Sequence, residues 1–470
     1  MTVRLSRETA GVPTPPVRIV HLGLGAFHRA HQAWFTARAT DASEWGIAAF
    51  TGRSPAAAVA LAAQDHLYTL TRRGADGDET EVVGSIVEAH RGDDLARFTD
   101  LLADPSVAMV TLTITEAGYR LLPDGLPDVA DAVLAADIEH LRDALAQHDP
   151  LGEVAANSAL GRLLLGLEAR RRAGAGPIAI VPCDNVPDNG RWLRTGLIAA
   201  AGMVDDALAA WIAAEVSVVS TSVDRITPRL SEADAAWALE TRGDACPVVA
   251  EPFADWTLEG EFPAGRPDWE SAGARFVEDI EPWEQRKLWL LNGAHSILAS
   301  LGPLRGHETV AEAIADPACR DLVERYWGEA VALLPAGIEH ADYRGALIER
   351  FANPRIVHRL EQIAQDAATK TRYRAVAVAE RTLDAGRAPD ASLEAVAAWI
   401  AAVQAGHRAT DAQDDAIDRA LAAADPVGRL LDVLSPRLAA DPAAADVVRA
   451  HVVAVRPADP VDPSPEPPAT

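Results

Sequence analysis

The chain has 470 residues, 49% hydrophobic and 24% charged, enough for two or three domains with sizeable cores and unlike a fibrous or disordered composition. A formal charge of −26 repels nucleic-acid phosphates and anionic lipid, so neither is expected as a partner. Three widely spaced cysteines, Cys183, Cys246 and Cys319, argue against a disulfide framework or a cysteine zinc site.

In chain order, Met1 to Pro16 shows no apolar segment ahead of a small-residue cleavage site, and no apolar run of about eighteen residues follows anywhere. The expected compartment is therefore the reducing cytoplasm. Short β-branched or apolar runs then alternate with alanine-rich helical stretches: Val17–Leu22, Gly46–Phe50, Val107–Ile114, Pro177–Pro182 and Val216–Ser220. This alternation predicts an α/β fold, a Rossmann-type doubly wound parallel sheet. From about Glu284 the strand signals vanish, and Ala/Leu/Glu/Arg stretches broken by Pro303, Pro317, Pro335, Pro354 and Pro426 predict an all-helical second domain. The expected division is 1–283, 284–455, and a proline-rich disordered tail over 456–470. No internal repeat is visible. The crevice between the two domains is the default place for a site, and the acidic surface requires no partner, so a monomer is compatible with it.

The first strand runs into Gly23-Leu24-Gly25-Ala26-Phe27-His28. Strand, then G-x-G, then helix start lets the backbone turn tightly and approach a pyrophosphate on the helix amides, which makes Gly23, Gly25, Ala26 and Phe27 candidate dinucleotide contacts. His28 stands where a third glycine is usual. The second strand ends Phe50-Thr51-Gly52-Arg53, with no acid for the adenosine ribose. Arg53 either faces a 2′-phosphate, leaving NADP open beside NAD, or is an ordinary solvated loop residue.

Trp283 to Ser300 is a strongly apolar helical stretch interrupted by Lys287, Asn292 and His295. On a regular α-helix these lie at about 0°, 140° and 80° around the axis and span about 12 Å. Three polar groups on one face of a buried helix cost energy unless they serve a ligand; a solvent-facing stripe is the plain alternative. Asp184-Asn185 follows the strand at Ile178–Val181, where side chains face a ligand crevice, although an Asx-rich turn is the simpler account from the residues alone. Asp224-Arg225 likewise follows an apolar strand, with a structural ion pair as the alternative. His28 and His31 lack a third ligand, so no metal site is expected.

Taken together, these pieces resemble the mannitol dehydrogenase family, the metal-independent long-chain polyol dehydrogenases. The resemblance runs from about Val17 to Arg374 and includes Gly23 to Gln32, Gln64-Asp65-His66-Leu67-Tyr68-Thr69-Leu70, Ile114-Thr115-Glu116-Ala117-Gly118-Tyr119, Cys183-Asp184-Asn185, Glu251-Pro252-Phe253 and Gly265-Arg266-Pro267-Asp268-Trp269. It implies a Rossmann-type domain and a helical one, an NAD(P)-dependent oxidoreductase, and a small-molecule sugar substrate. It assigns the general base to Lys287 and polarisation of the reacting oxygen to Asn185 and Asn292, with His295 orienting a neighbouring hydroxyl. A lysine near pKa 10.4 in water serves as a base only if burial and the nicotinamide cation disfavour its charged form. Asp65, Thr115 and Glu116 fall to the cofactor side, and Asp224, Arg359 and Lys370 to the substrate. Relatives commonly follow that lysine with Leu-Pro or Ile-Pro, whereas this chain has Thr371-Arg372-Tyr373-Arg374. His358-Arg359…Gln362-Ile363-Ala364 looks more like the mannonate oxidoreductase (fructuronate reductase) branch, and Arg359, Lys370, Arg372 and Arg374 would supply a basic pocket for a sugar carboxylate. The alternatives are mannitol or arabinitol, mannitol 1-phosphate, a dinucleotide sensor without chemistry, and a zinc alcohol dehydrogenase.

Overall fold

The first part of the chain forms twelve strands in the computed structural model, which describes residues 4–455: β1 (Val17–Leu22), β2 (Gly46–Phe50), β3 (Tyr68–Arg73), β4 (Asp78–Val83), β5 (Ile86–His90), β6 (Met109–Leu112), β7 (Ile178–Pro182), β8 (Val216–Val218), β9 (Ser220–Asp224), β10 (Val248–Ala250), β11 (Asp255–Glu259) and β12 (Arg275–Phe276). Six of them form one sheet in the order β5-β2-β1-β6-β7-β8, every pair parallel. This is the doubly wound arrangement in which the order reverses beside the first strand, leaving a crevice at the carboxyl ends of β1 and β6. Both faces of the sheet are covered, so its strands are apolar throughout rather than alternating. Val20, Phe50, Val110 and Ile180 pack under the helices Leu95–Ala103, Ala132–Gln147, Ala159–Ala173 and Asn189–Val204. Ile19, Ala49, Met109 and Val181 face Trp34, Phe35, Trp256 and Trp269 on the other side.

Two smaller sheets, β10-β3-β4 and β12-β11-β9, add to the expected one. Their strands are short or half-polar, as in Asp78–Val83, so no apolar run announces them. The expected strand Val216–Ser220 is corrected to two elements: Val219 N–H makes its bond to Ile180 C=O at 2.9 Å, and from Ser220 the chain pairs antiparallel with β11.

The chain divides into two compact units after Glu281. Among the described residues from Pro282 onward every regular element is helical. The central helix Asp390–Gln404 is buried almost all round, against Gly293–Leu304, Pro317–Val331 and Pro442–Val455. Pro317 and Pro426 start helices capped by Asp316 and Asp425, where the missing N–H costs nothing. Pro303 lies in the last turn of Gly293–Leu304 and does not break it. Two segments depart from α geometry: Lys287–Asn292 and Arg372–Val376 are π-helical and pack against each other. The expected tail, 456–470, lies outside the described residues.

Candidate active site

The first unit carries a turn built for close approach. Gly23 leaves β1 with φ +110°, and a Cβ there would overlap the Thr113 carbonyl oxygen and lie 2.9 Å from its carbon. Thr113 Oγ1 instead donates to Gly23 C=O at 2.8 Å, pinning the end of β1 to the end of β6. Gly25, at φ −139°, is the N-cap of Ala26–Ala30 and offers no side chain to that helix start. Its neighbourhood is open, with Gly23 O at 3.5 Å the one atom near a Cβ position. Uncapped first-turn amides beside a glycine fit a dinucleotide pyrophosphate.

Beneath the turn, His21 and His28 stack at 3.3 Å. His21 reaches Thr111 Oγ1 at 2.8 Å and Thr113 Oγ1 at 3.0 Å through its two ring nitrogens. Burial pushes His21 down to about 3 and holds His28 well below the ordinary histidine value, so both are neutral. The helix breaks at His31, whose Nε2 lies 3.0 Å from Asp255 C=O and whose ring packs on Phe27 and Trp256.

Phe27, Thr113, Thr115, Glu116, Asp184 and Asn185 line one open cleft at the carboxyl ends of β1, β6 and β7. Asp184 fixes the floor: Tyr119 Oη donates to Oδ2, while Asn189 Nδ2 at 3.1 Å and Val186 N–H at 3.0 Å donate to Oδ1. Asn189 Oδ1 in turn accepts from Thr221 N–H at 2.8 Å. This leaves Asn185 exposed at the cleft, one residue beyond the anchored aspartate. Asp224 ends β9 next to Val223, which also lines the cleft. Its neighbour Arg225 is structural: it donates to Ala30 C=O at 2.6 Å and to Glu251 C=O at 3.1 Å under Trp34.

Arg53 is exposed just past β2. Asp65 requires a correction. With φ +51° it accepts from Arg7 N–H at 3.1 Å, and the Arg7 guanidinium also holds Ile86 C=O at 2.7 Å, at the amino end of β5. Asp65 therefore ties the N-terminal segment to the end of the sheet opposite Gly23–Ala26, because its turn faces the strand starts.

The second unit holds Lys287, Asn292 and His295. The regular α-helix expected for them is corrected, since Lys287–Asn292 is a π segment and Gly293 N–H bonds Leu288 C=O, five residues back. Residues five apart then stand one turn apart, so Asn292 falls much nearer the line of Lys287 than the ~140° of an α-helix. π segments of this kind recur at functional sites. His295 is buried, with its ring edge-on to His358 at 5.0 Å and tilted against Phe351 at 5.0 Å. Its Nε2 has no protein hydrogen-bond partner among the described residues. Burial first, then the charges of His358, Arg350, Arg374 and Lys370, hold it neutral. Lys370 Nζ donates to Ile363 C=O at 3.1 Å, and burial followed by Arg374 lowers its pKa.

The expected cluster of four basic residues is only partly assembled. Arg359 is exposed and paired with Glu308 at 3.2 Å, and Arg372 donates to Val433 C=O, so both are spent elsewhere. The charge of Arg350, on the helix Ala341–Phe351, bears on His295 and His358 instead. No motif marks it in the sequence. No group of three His, Cys, Asp or Glu side chains among the described residues is placed to hold a metal.

A parallel sheet with a glycine turn at its switch point, joined in one chain to a helix bearing Lys, Asn and His, defines a dinucleotide-dependent oxidoreductase. The comparisons with known proteins agree. The mannitol dehydrogenase Rossmann domain matches residues 17–271 and the mannitol dehydrogenase C-terminal domain residues 279–431. D-mannonate oxidoreductase of Escherichia coli K12 is 37% identical over 85% of this chain and 82% of its own. Mannitol 2-dehydrogenase of Aspergillus fumigatus is 37% identical over 75% of this chain and 71% of its own. The solved structure of Pseudomonas fluorescens mannitol 2-dehydrogenase with NAD and D-mannitol superimposes with a TM-score of 0.75 at 30% identity, covering 96% of this chain and 97% of that one. The chain belongs to the mannitol dehydrogenase family and is an NAD-dependent polyol dehydrogenase acting on CH–OH groups. No described helix is long and apolar enough to cross a membrane.

Proposed function

We propose that the protein interconverts a sugar acid of the D-mannonate type with its keto form, D-fructuronate. The observation that carries this reading is the cationic field at buried His295, on which the charges of Arg350, Arg374 and Lys370 all bear. Such a field favours an anionic ligand, and a carboxylate hydrogen-bonded to a charged donor gains about 1.5–3 kcal/mol. The E. coli relative carries that activity in its name.

In the oxidation direction Lys287 Nζ takes the hydroxyl proton as the carbinol C–H bond breaks and a C=O bond forms. NAD supplies the two-electron acceptor for the hydride. The side-chain amide of Asn292 donates to the oxygen as it gains negative charge, worth about 2.7–4 kcal/mol by analogy with oxyanion holes. His295 Nε2 is left for a neighbouring hydroxyl, and its neutral ring can accept as well as donate. These groups do the work of a Lewis acid, so no metal is required. Arg53, past β2, is the group to watch for use of NADP.

A neutral hexitol is the second reading, favoured by the fungal relative and by the D-mannitol named in the P. fluorescens complex. Spectrophotometric oxidation of NADH and NADPH by chelator-treated protein, offered fructuronate and fructose in parallel, separates the two. Rapid turnover of fructuronate over fructose supports the sugar-acid reading; the reverse preference replaces it with mannitol.

A further inference from the structure

Arg374 occupies the middle of the second π segment, Arg372–Val376. Its Nη1 donates to the backbone carbonyl of Asn292 at 3.0 Å and to Ser296 Oγ at 2.7 Å. The first acceptor is the last residue of the π segment Lys287–Asn292, and the second lies one turn further on. Among the described residues no carboxylate pairs with Arg374, although the group is partly buried. A charge held partly out of water without a counter-charge is costly to keep, so its retention asks for a reason.

The π segment supplies one. Its five-residue spacing sets the angle between Lys287 and Asn292, and relaxing to α spacing would swing Asn292 away by the order of 90°. Gly293, at the junction, is already pinned from one side: a Cβ there would lie 2.6 Å from the Tyr326 ring. Arg374 grips the same junction through the Asn292 carbonyl, joining one π segment to the other.

We propose that Arg374 is a positioning residue, whose guanidinium holds the Lys287–Asn292 π turn so that the lysine amine and the asparagine amide address one substrate oxygen. The inference rests on the reading of Lys287 and Asn292 as reacting groups, whichever sugar is turned over. It makes Arg374 an internal clamp that donates to the Asn292 carbonyl and Ser296 and not to the sugar, while its charge still adds to the cationic field at His295.

The test compares Arg374→Met, Arg374→Lys and Lys287→Ala with the unmodified protein on its best substrate. Arg374→Met is expected to lower kcat about 10–100-fold, the scale of a 1 Å misplacement. The sugar KM should move less than about threefold and the NADH Kd should not move. The primary deuterium isotope effect from carbinol-deuterated substrate should rise as hydride transfer becomes limiting. Arg374→Lys should recover part of kcat. A loss confined to KM, or an unchanged kcat and isotope effect in either folded variant, overturns the proposal. Should Arg374→Met not fold, Arg374→Lys decides alone: kcat and isotope effect both at the unmodified value refute the clamp. Lys287→Ala separates the two levels. If it stays active the underlying reading fails, and if it is dead while both Arg374 variants are fully active the clamp alone fails.

Discussion

Gly23 and Gly25 sit two residues apart yet answer to different physics, and alanine at each tests the nucleotide turn. At Gly23 the backbone has φ +110°, which costs an ordinary residue about 1–3 kcal/mol. The added Cβ also overlaps the Thr113 carbonyl, so β1 and β6 must part and strain the Thr113 Oγ1 bond to Gly23; overpacking of this kind costs about 1–3 kcal/mol more. Gly23→Ala should thus destabilise the fold by about 2–6 kcal/mol, a Tm fall of at least about 4 °C at ~2–4 °C per kcal/mol. Gly25, at φ −139° with nothing nearer than 3.5 Å, accepts alanine with a change inside about 0.5 kcal/mol. Its methyl instead fills the space through which the pyrophosphate reaches the helix amides. Losing one charge-assisted hydrogen bond, about 1.5–3 kcal/mol, should weaken NADH about 10–100-fold. Thermal melts and NADH fluorescence titrations read the two effects separately. A Gly25→Ala protein that binds NADH within about twofold of the original would refute the claim that this turn cradles the cofactor.

Acid should destabilise the protein well above the carboxylate range. His21 titrates near 3 and His28 and His295 below their ordinary value, so the unfolded chain binds more protons. Stability is then full above about pH 6.5 and lost as pH falls, by up to about 1.4 kcal/mol per pH unit for each fully neutral histidine; urea midpoints that stay level from pH 7 to 5 would contradict it. Lys287→Ala should lose about 10²–10⁴ in kcat while keeping NADH affinity, since proton transfer and not cofactor binding is removed; equilibrium titration beside steady-state rates checks both halves. Lys370→Met should raise KM for fructuronate about 10–100-fold and for fructose far less, and an equal rise for both sugars would detach Lys370 from the carboxylate.

Patterns carried by neighbours in the chain are legible in the amino-acid sequence itself. The run from Val17 into Gly23-Leu24-Gly25 announces a strand, a turn and a helix start because each needs only its own residues, and the loss of strand signals after Glu284 marks the helical unit. The polar interruptions at Lys287, Asn292 and His295 likewise stand out against an apolar background. Whether that stretch is α or π does not, since one inserted residue's worth of unwinding leaves the composition unchanged and is held from outside, by Arg374 and Tyr326. The same limit governs the charged residues. Asp65 goes to Arg7, Arg359 to Glu308 and Arg372 to the Val433 carbonyl, while the charge of Arg350, which no motif marks, bears on His295. Local sequence determines what a segment becomes because backbone and nearest side chains set it. The partner of a long charged side chain is chosen by whichever carbonyl or carboxylate tertiary packing brings within reach, and only the folded chain decides that.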